Sequence, residues 1–310
     1  MMVPRTRAAG IALAFVTAAI SGVSVFVNGY GTKHFTDATV YTTSKNLVAA
    51  ALLAALALGA ARLRPSSEAR LPFTSRDRWG LLAVGLIGGA IPFVLFFEGL
   101  KRASSTDAAF LQKTLVVWVA LLAVPLLRER LNAGHVAAIG LLIVGQARLT
   151  SGWPSLRADA ASTLILAATL CWAVEVVIAK RLLPRRSALT LGAARMGIGV
   201  VALVTWVAIT GRLHLLIGLT ANAWEWALLT GVLLCAYVAF WFSALSRAQA
   251  VDVTAVLVGG ALVTAVLNDA AQGIALRPQV PGLVIILIGV AVASVATRYT
   301  QARVVPIAPS

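Results

Sequence analysis

The sequence predicts an all-α integral membrane protein, with ten transmembrane helices arranged as two inverted five-helix repeats. Three observations carry this. Of 310 residues, 60% are hydrophobic and 12% charged, and mean hydropathy is +0.90; soluble domains stand nearer half apolar and a quarter charged. Apolar stretches of about 20 residues, the length that crosses a bilayer core, recur ten times. The junction LKRASSTDAAF at Leu100–Phe110 returns as LSRAQAVDVTA at Leu245–Ala255, with Leu, Arg, Ala and Asp repeated at a constant offset of 145. Five spans per half is an odd number, so the second copy inserts upside down, as in many transporters built from internal repeats. The first repeat is expected over 1–150 and the second over 151–310, with a short cytoplasmic C-terminal tail.

Helix 1 is expected at 9–30. The start MMVPRTRAAG is basic, but the apolar run continues to about Gly29, which reads as an uncleaved first helix rather than a signal peptide. Helix 2 follows at 38–61, and then the longest connector, RLRPSSEARLPFTSRDR, with two prolines and five arginines. Helix 3 (79–100) carries GLIGGAIPF, in which Gly85, Gly88 and Gly89 permit close helix approach and Pro92 predicts a kink. Helix 4 (107–127) holds Lys113 and a second kinking proline, Pro125. Helices 5 to 8 are expected at 133–150, 161–182, 188–210 and 224–245. Helix 9 (252–275) contains Gly259 and Gly260, and helix 10 runs 281–298. Asp107 and Asp252 stand at the starts of helices 4 and 9 and read as N-caps, because an aspartate there satisfies free backbone amides. Trp79, Trp153, Trp224 and Trp226 lie at span ends, as an interfacial aromatic belt requires.

The formal charge of +15 would suit nucleic acid or acidic partners if it formed a patch. Most basic residues instead lie in short connectors, where they act as topology signals. With the N-terminus inside, 16 Lys/Arg fall on cytoplasmic segments against 7 outside, and Lys45, Lys113 and Arg195 lie within spans. Both termini are therefore expected in the cytoplasm, with LKRASS an exception on the outer side. Arginine outnumbers lysine 21 to 5, which with abundant alanine fits a GC-rich bacterial genome. Cys171 and Cys235 fall mid-span without CxxC or metal spacing and read as small apolar side chains. His34, His135 and His214 are scattered near span ends. There is no G-x-x-x-x-G-K-[ST], no H-E-x-x-H and no nucleophile elbow, so neither an ATP motor nor a metal enzyme is indicated, and no cofactor is expected.

The ionisable groups inside spans divide by depth. Lys45, Glu98, Lys113 and Asp269 lie toward the outside, and Glu175 and Arg195 toward the inside. Each set is balanced, as buried charges must be unless they neutralise. From the turn near Ser104, Glu98 stands about 9 Å deep and Lys113 about 14 Å, so an ion pair between them is expected. These groups are candidates for contact with substrate or a coupling ion, and they serve equally well as packing pairs. Polar stripes run along helix 1 (Thr17, Ser21, Ser24, Asn28) and helix 9 (Thr264, Asn268, Gln272), each on one helical face. They line a wet cavity or bond a neighbouring helix. Trp172 stands one turn before Glu175, and Tyr237, Phe240 and Trp241 cluster on helix 8. Together Glu98, Lys113, Asn28, Trp172, Glu175, Tyr237, Trp241, Asn268 and Asp269 form the candidate substrate or coupling set, with Lys45, Arg195, Pro92 and Pro125 secondary.

FFEGLKRASSTDAAFLQKTLVVWVALLAVPLLRERL (Phe96–Leu131) resembles the helix 3–helix 4 signature of the drug/metabolite transporter superfamily, EamA type, ending in an L-x-E-R-L element. LLTGVLLCAYVAFWFSALSRAQAVDVTAVLV (Leu228–Val258) is similar to its counterpart in the later repeat, and LCWAVEVVIAKRLL (Leu170–Leu183) to the start of repeat two. The resemblance covers nearly the whole chain. It departs at Ile274, which stands where Glu129 would recur, and at VLNDAAQ in helix 9, where the pattern is usually more apolar. The resemblance implies a secondary transporter and not an enzyme. The expected cargo is a small polar or amphipathic metabolite, such as an amino acid, exported across the bacterial plasma membrane by alternating access. Expected partners are membrane lipid, the small-molecule substrate, and protons or a counter-substrate; nucleic acid is not among them. The competing readings are a flippase of a lipid-linked substrate, a polytopic membrane enzyme and a passive structural subunit.

Overall fold

In a computed structural model the chain is described over residues 4–63, 72–100, 102, 105–149, 159–273 and 280–302. Every regular element among them is helical. Nine segments are long and apolar enough to cross a membrane, and Ala133–Leu149, at 17 residues, is shorter. At 1.5 Å per residue that helix is about 25 Å long, a little under a typical hydrocarbon core.

The first two spans are single helices, α1 (Pro4–Gly31) and α2 (Ala38–Leu63), joined by one turn of 3-10 helix. The third is broken: α3 (Ser75–Ala83), a π segment at Val84–Gly88, then α4 (Ile91–Leu100). The fourth is also in two pieces, α5 (Ser105–Lys113) and α6 (Leu115–Leu127), followed by α7 (Ala133–Leu149). The later half comprises α8 (Ala160–Leu182), α9 (Ala188–Ile209), a five-residue helix α10 (Leu213–Ile217), α11 (Ala221–Leu245), the split pair α12 (Ala250–Val258) and α13 (Gly260–Gln272), and α14 (Val280–Ala302).

Hydropathy dictates the spans, and short polar side chains dictate where they begin. The hydroxyls of Ser187 and Thr220 and the carboxylate of Asp159 accept from backbone N–H groups of the first turns of α9, α11 and α8. Asp37 accepts from Thr39 and Val40 at the start of α2, and Thr74 forms a reciprocal capping box with Asp77. Such caps satisfy amides that a helix start leaves open. Asp252 is not among them. It is the third residue of α12, whose N-cap position is held by Gln249; its carboxylate is used elsewhere, as described below. Asp107 is likewise the third residue of its helix, α5, and not its N-cap; its side chain lies outside the described residues.

The offset of 145 seen in the sequence continues into backbone geometry. The nine residues of α5 repeat as α12, and the thirteen of α6 as α13. The breaks at Thr114 and Gly259 correspond, and so do the left-handed residues ending the second pieces, Arg128 (φ 56°) and Gly273 (φ 63°). Pro125 does not interrupt its helix, because α6 runs through it to Leu127. Pro92, in contrast, stands in the first turn of α4 just past a break, where its missing N–H leaves no helical bond unmade.

Packing is helix on helix, with α2 against α9 and α11, α6 against α8 and α12, and α7 along α14. The first span meets α11, α12 and α13. A Cβ on Gly260 would sit 2.6 Å from the Ala18 carbonyl oxygen, so only glycine allows that approach. Thr264 then donates to the Gly22 carbonyl at 2.9 Å. That part of the helix 9 polar stripe bonds a neighbour, not a cavity. The side chain of Gln272 lies outside the described residues.

Candidate functional site

At mid-bundle the π segment of span 3 organises a buried clamp. A π turn takes its carbonyls out of the regular helical ladder, and the Gly88 oxygen finds partners elsewhere. It accepts from Trp172 Nε1 at 3.2 Å and from Arg195 Nη2 at 3.0 Å. Arg195 Nε donates to Glu175 Oε1 at 2.7 Å, with both side chains at most 7% exposed. Phe93 stands edge-on to Trp172 and also under the Arg195 guanidinium, and Phe96 tilts against the same indole. A Cβ on Gly88 would lie 2.2 Å from the Glu175 carboxyl carbon, so the glycine makes room for the carboxylate. Tyr237 stacks on Trp241 with ring centroids 6.1 Å apart and lies within electrostatic reach of Glu175 and Arg195. The structure thus brings Trp172, Glu175, Arg195, Tyr237 and Trp241 into one region. Arg195, a secondary candidate in the sequence, is its hub.

The outer-half candidates are arranged differently from expectation. Lys45 Nζ donates to Asn28 Oδ1 at 3.1 Å and stands 5.0 Å above the Tyr41 ring. The Tyr41 hydroxyl donates to the same amide oxygen, and Asn28 Nδ2 is spent on the Ser24 carbonyl of its own helix. The expected Glu98–Lys113 ion pair does not form. Glu98 reaches Arg102 at 3.9 Å and Arg212 at 4.0 Å, and Arg212 also reaches Asp37 at 3.4 Å. Lys113 closes α5 directly before the break at Thr114, where the negative end of a helix favours a cation. It makes no ion pair or side-chain hydrogen bond among the described residues. Matched depth had placed Glu98 and Lys113 level, but depth says nothing about the azimuth each side chain takes around its helix. Asp269 is buried and Asn268 half-buried on α13.

A third cluster, at the end of the bundle that carries the N-terminus, was missed by reading spans alone. Asp252 accepts from Arg7 at 2.6 Å, from Thr297 at 2.8 Å, and faces His135 Nε2 at 3.0 Å. Glu129, of the L-x-E-R-L element, accepts from the backbone amides of Ala250 and Val251 at 2.7 and 3.2 Å. It therefore caps α12 from the other half of the chain. Burial pushes its carboxyl above the usual carboxylate range, against the pull of those two amides. Lys180 closes the other side, donating to the Leu245 and Ala248 carbonyls at 2.8 Å each. Asn132 Nδ2 donates to the Ala296 carbonyl at 3.1 Å. The signal in the sequence was the Glu129/Ile274 asymmetry; the partners lie 45 to 245 residues apart, beyond any local pattern.

The model of the EamA-like transporter family matches the chain twice, over residues 8–150 and 160–295. Among solved structures, one crystal structure superposes with a TM-score of 0.74, covering 94% of this chain and 99% of the other at 19% sequence identity. That likeness shows the fold alone. No curated protein matches the chain in sequence. Two matched segments, an all-helical bundle and broken helices recurring at one offset agree with one another, and the chain belongs to the EamA-like transporter family.

Proposed function

We propose that the protein is a secondary transporter of the bacterial plasma membrane, with ten spans in two inverted repeats and both termini cytoplasmic. It exports a small amphipathic metabolite, an amino acid fitting best, by alternating access. The observation that carries this is the unequal sealing of the two ends. At the N-terminal end the halves are joined by short, buried bonds through Asp252 and Glu129. At the other end the described ion pairs between halves are those of Arg212, at 3.4 and 4.0 Å and partly exposed. A bundle closed at one end and loosely joined at the other suits one state of a two-state cycle.

The cargo class is argued from charge. Lys45 is buried against an amide and a ring, and Lys113 is half-buried at a helix end, neither with a carboxylate partner among the described residues. A substrate carboxylate would supply the missing charge, and Glu98 and Asp269, grouped with these lysines by depth toward the outside, offer the sign an ammonium needs. The test is counterflow in proteoliposomes with labelled amino acids beside sugar phosphates and nucleotide sugars. Amino-acid exchange is expected, with Lys113→Met slowing it roughly tenfold, the equivalent of about 1.4 kcal/mol. Exchange confined to phosphorylated sugars would overturn the substrate class.

A further inference from the structure

The cluster at the N-terminal end contains a titratable ring to which the transport cycle above gives no role. His135, in the first turn of α7, is 2% exposed. Its Nε2 stands 3.0 Å from Asp252 Oδ1. Its Nδ1 lies 2.8 Å from Asn132 Oδ1 and 3.3 Å from the Asn132 backbone nitrogen. An oxygen therefore faces each ring nitrogen, and an imidazolium donates to both, from Nε2 to Asp252 and from Nδ1 to the Asn132 side-chain oxygen. A neutral ring donating from Nε2 keeps the first bond and accepts the longer Asn132 N–H at Nδ1, with its lone pair facing the Asn132 oxygen.

The charges facing the ring come from every neighbouring element. Arg7 on α1 and Asp252 on α12 form an ion pair at 2.6 Å. The α6–α7 connector contributes buried Glu129, while Arg128 and Arg130 beside it are exposed. Lys180 reaches in from α8, within electrostatic range of Glu129, Asp252 and Arg7. From α14 the described contact is uncharged Thr297. Two cations and two anions balance when His135 is neutral. An added proton is therefore tolerated only while the Asp252 carboxylate stays against the ring. Parting α7 from α12 removes that carboxylate, so proton binding and closure favour each other by the same factor.

The opposite end cannot copy the device. Val280 stands 145 residues after His135 and Ile274 the same distance after Glu129.

We propose that His135 is a proton-binding site of the transporter, and that its protonated form holds the N-terminal end shut through Asp252. Acidification then favours the state closed at that end, and rising pH releases it. This rests on the alternating-access reading, and the experiment separates the two. Ala14, 1% exposed, lies on the same face of α1 as Arg7 two turns farther in, where opening would uncover it. Ala14→Cys, in a background with Cys171→Ala and Cys235→Ala, is reconstituted in proteoliposomes and labelled with membrane-permeant N-ethylmaleimide. Rates are compared with and without His135→Gln, which keeps a donor toward Asp252 but cannot gain a proton. Thiol ionisation cancels in the ratio of the two rates.

In buffers from about pH 5.5 to about pH 8, the expected result is labelling slowed roughly fivefold by the native histidine at the acid end, with the ratio rising as the pH rises. If His135→Gln does not fold, Asp252→Asn replaces it, since removing the carboxylate also abolishes the pH dependence. Labelling at a ratio that stays flat across that range overturns the proton site and leaves the transporter reading standing. No labelling of Ala14→Cys at any pH, in either background, overturns alternating access itself.

Discussion

An ionised side chain at the centre of a bilayer costs roughly 2.5–3.5 kcal/mol on insertion scales, and three different local devices offset it here. Arg195 and Glu175 share a bond of 2.7 Å, Lys45 leans on an amide and a ring, and Lys113 sits at a helix end. These devices predict different mutational arithmetic. Glu175→Gln or Arg195→Met alone should each lower stability by about 3–5 kcal/mol, because the remaining charge stays buried without its partner, and the double variant should lose less than the sum. Glu98→Gln and Lys113→Met share no bond and should add. Thermal unfolding in detergent of the two double-mutant cycles checks both. Coupling at Glu98–Lys113 equal to that at Glu175–Arg195 would contradict the arrangement described. Among the candidates, the charged residues themselves were visible in the sequence as exceptions within apolar runs. Their partners were not, because partner choice depends on helix rotation.

The spans were legible as elements because apolar length is a direct physical requirement of the bilayer. Their interruptions were legible only in part. Pro92 marks a break, yet Pro125 does not, and the split at Thr114 carries no proline at all. Helix 3 shows how such a fault is used: its π segment offers the Gly88 carbonyl to Trp172 and Arg195. Gly88→Ala should therefore cost about 1–3 kcal/mol through overpacking, since its Cβ would meet the Glu175 carboxyl at 2.2 Å. Gly140→Ala makes the contrasting case, in the interior of α7 with nothing within 4 Å. There alanine should be neutral or stabilising by up to about 1 kcal/mol. Melting temperatures of both variants decide it, and equal losses would remove the glycine argument from span 3.

For the whole molecule, the decisive relation is between the two repeats. The offset of 145 sets α5–α6 beside α12–α13 as equivalent pieces, but the ends they build are unlike, since Glu129 caps α12 and Ile274 carries no carboxylate to return the favour. The proposed orientation follows from the connector charges. Single cysteines at Ser67 and Ser155, in a background without the native pair, should react unequally with a membrane-impermeant thiol reagent applied to whole cells. Ser155→Cys is expected to label and Ser67→Cys to stay protected; the reverse pattern, or equal labelling, would reject the topology.

Composition and hydropathy by themselves determined a helical membrane protein and the approximate limits of its spans, because transfer of apolar length into lipid is a property of each segment alone; the repeated junction string at Leu100 and Leu245 showed its doubling. The junction motifs carried the family for the same reason, being local strings. Tertiary structure decided which charges meet. It turned Glu98 toward Arg212 rather than Lys113, made Arg195 the hub of the mid-bundle clamp, and took Asp252 from helix capping into a cluster with Arg7 and His135. Each of those outcomes depends on the rotation of one helix against another, set by small residues and packing between helices that are 20 to 245 residues apart in the chain. Such pairings have no local signature, and only the assembled bundle contains them.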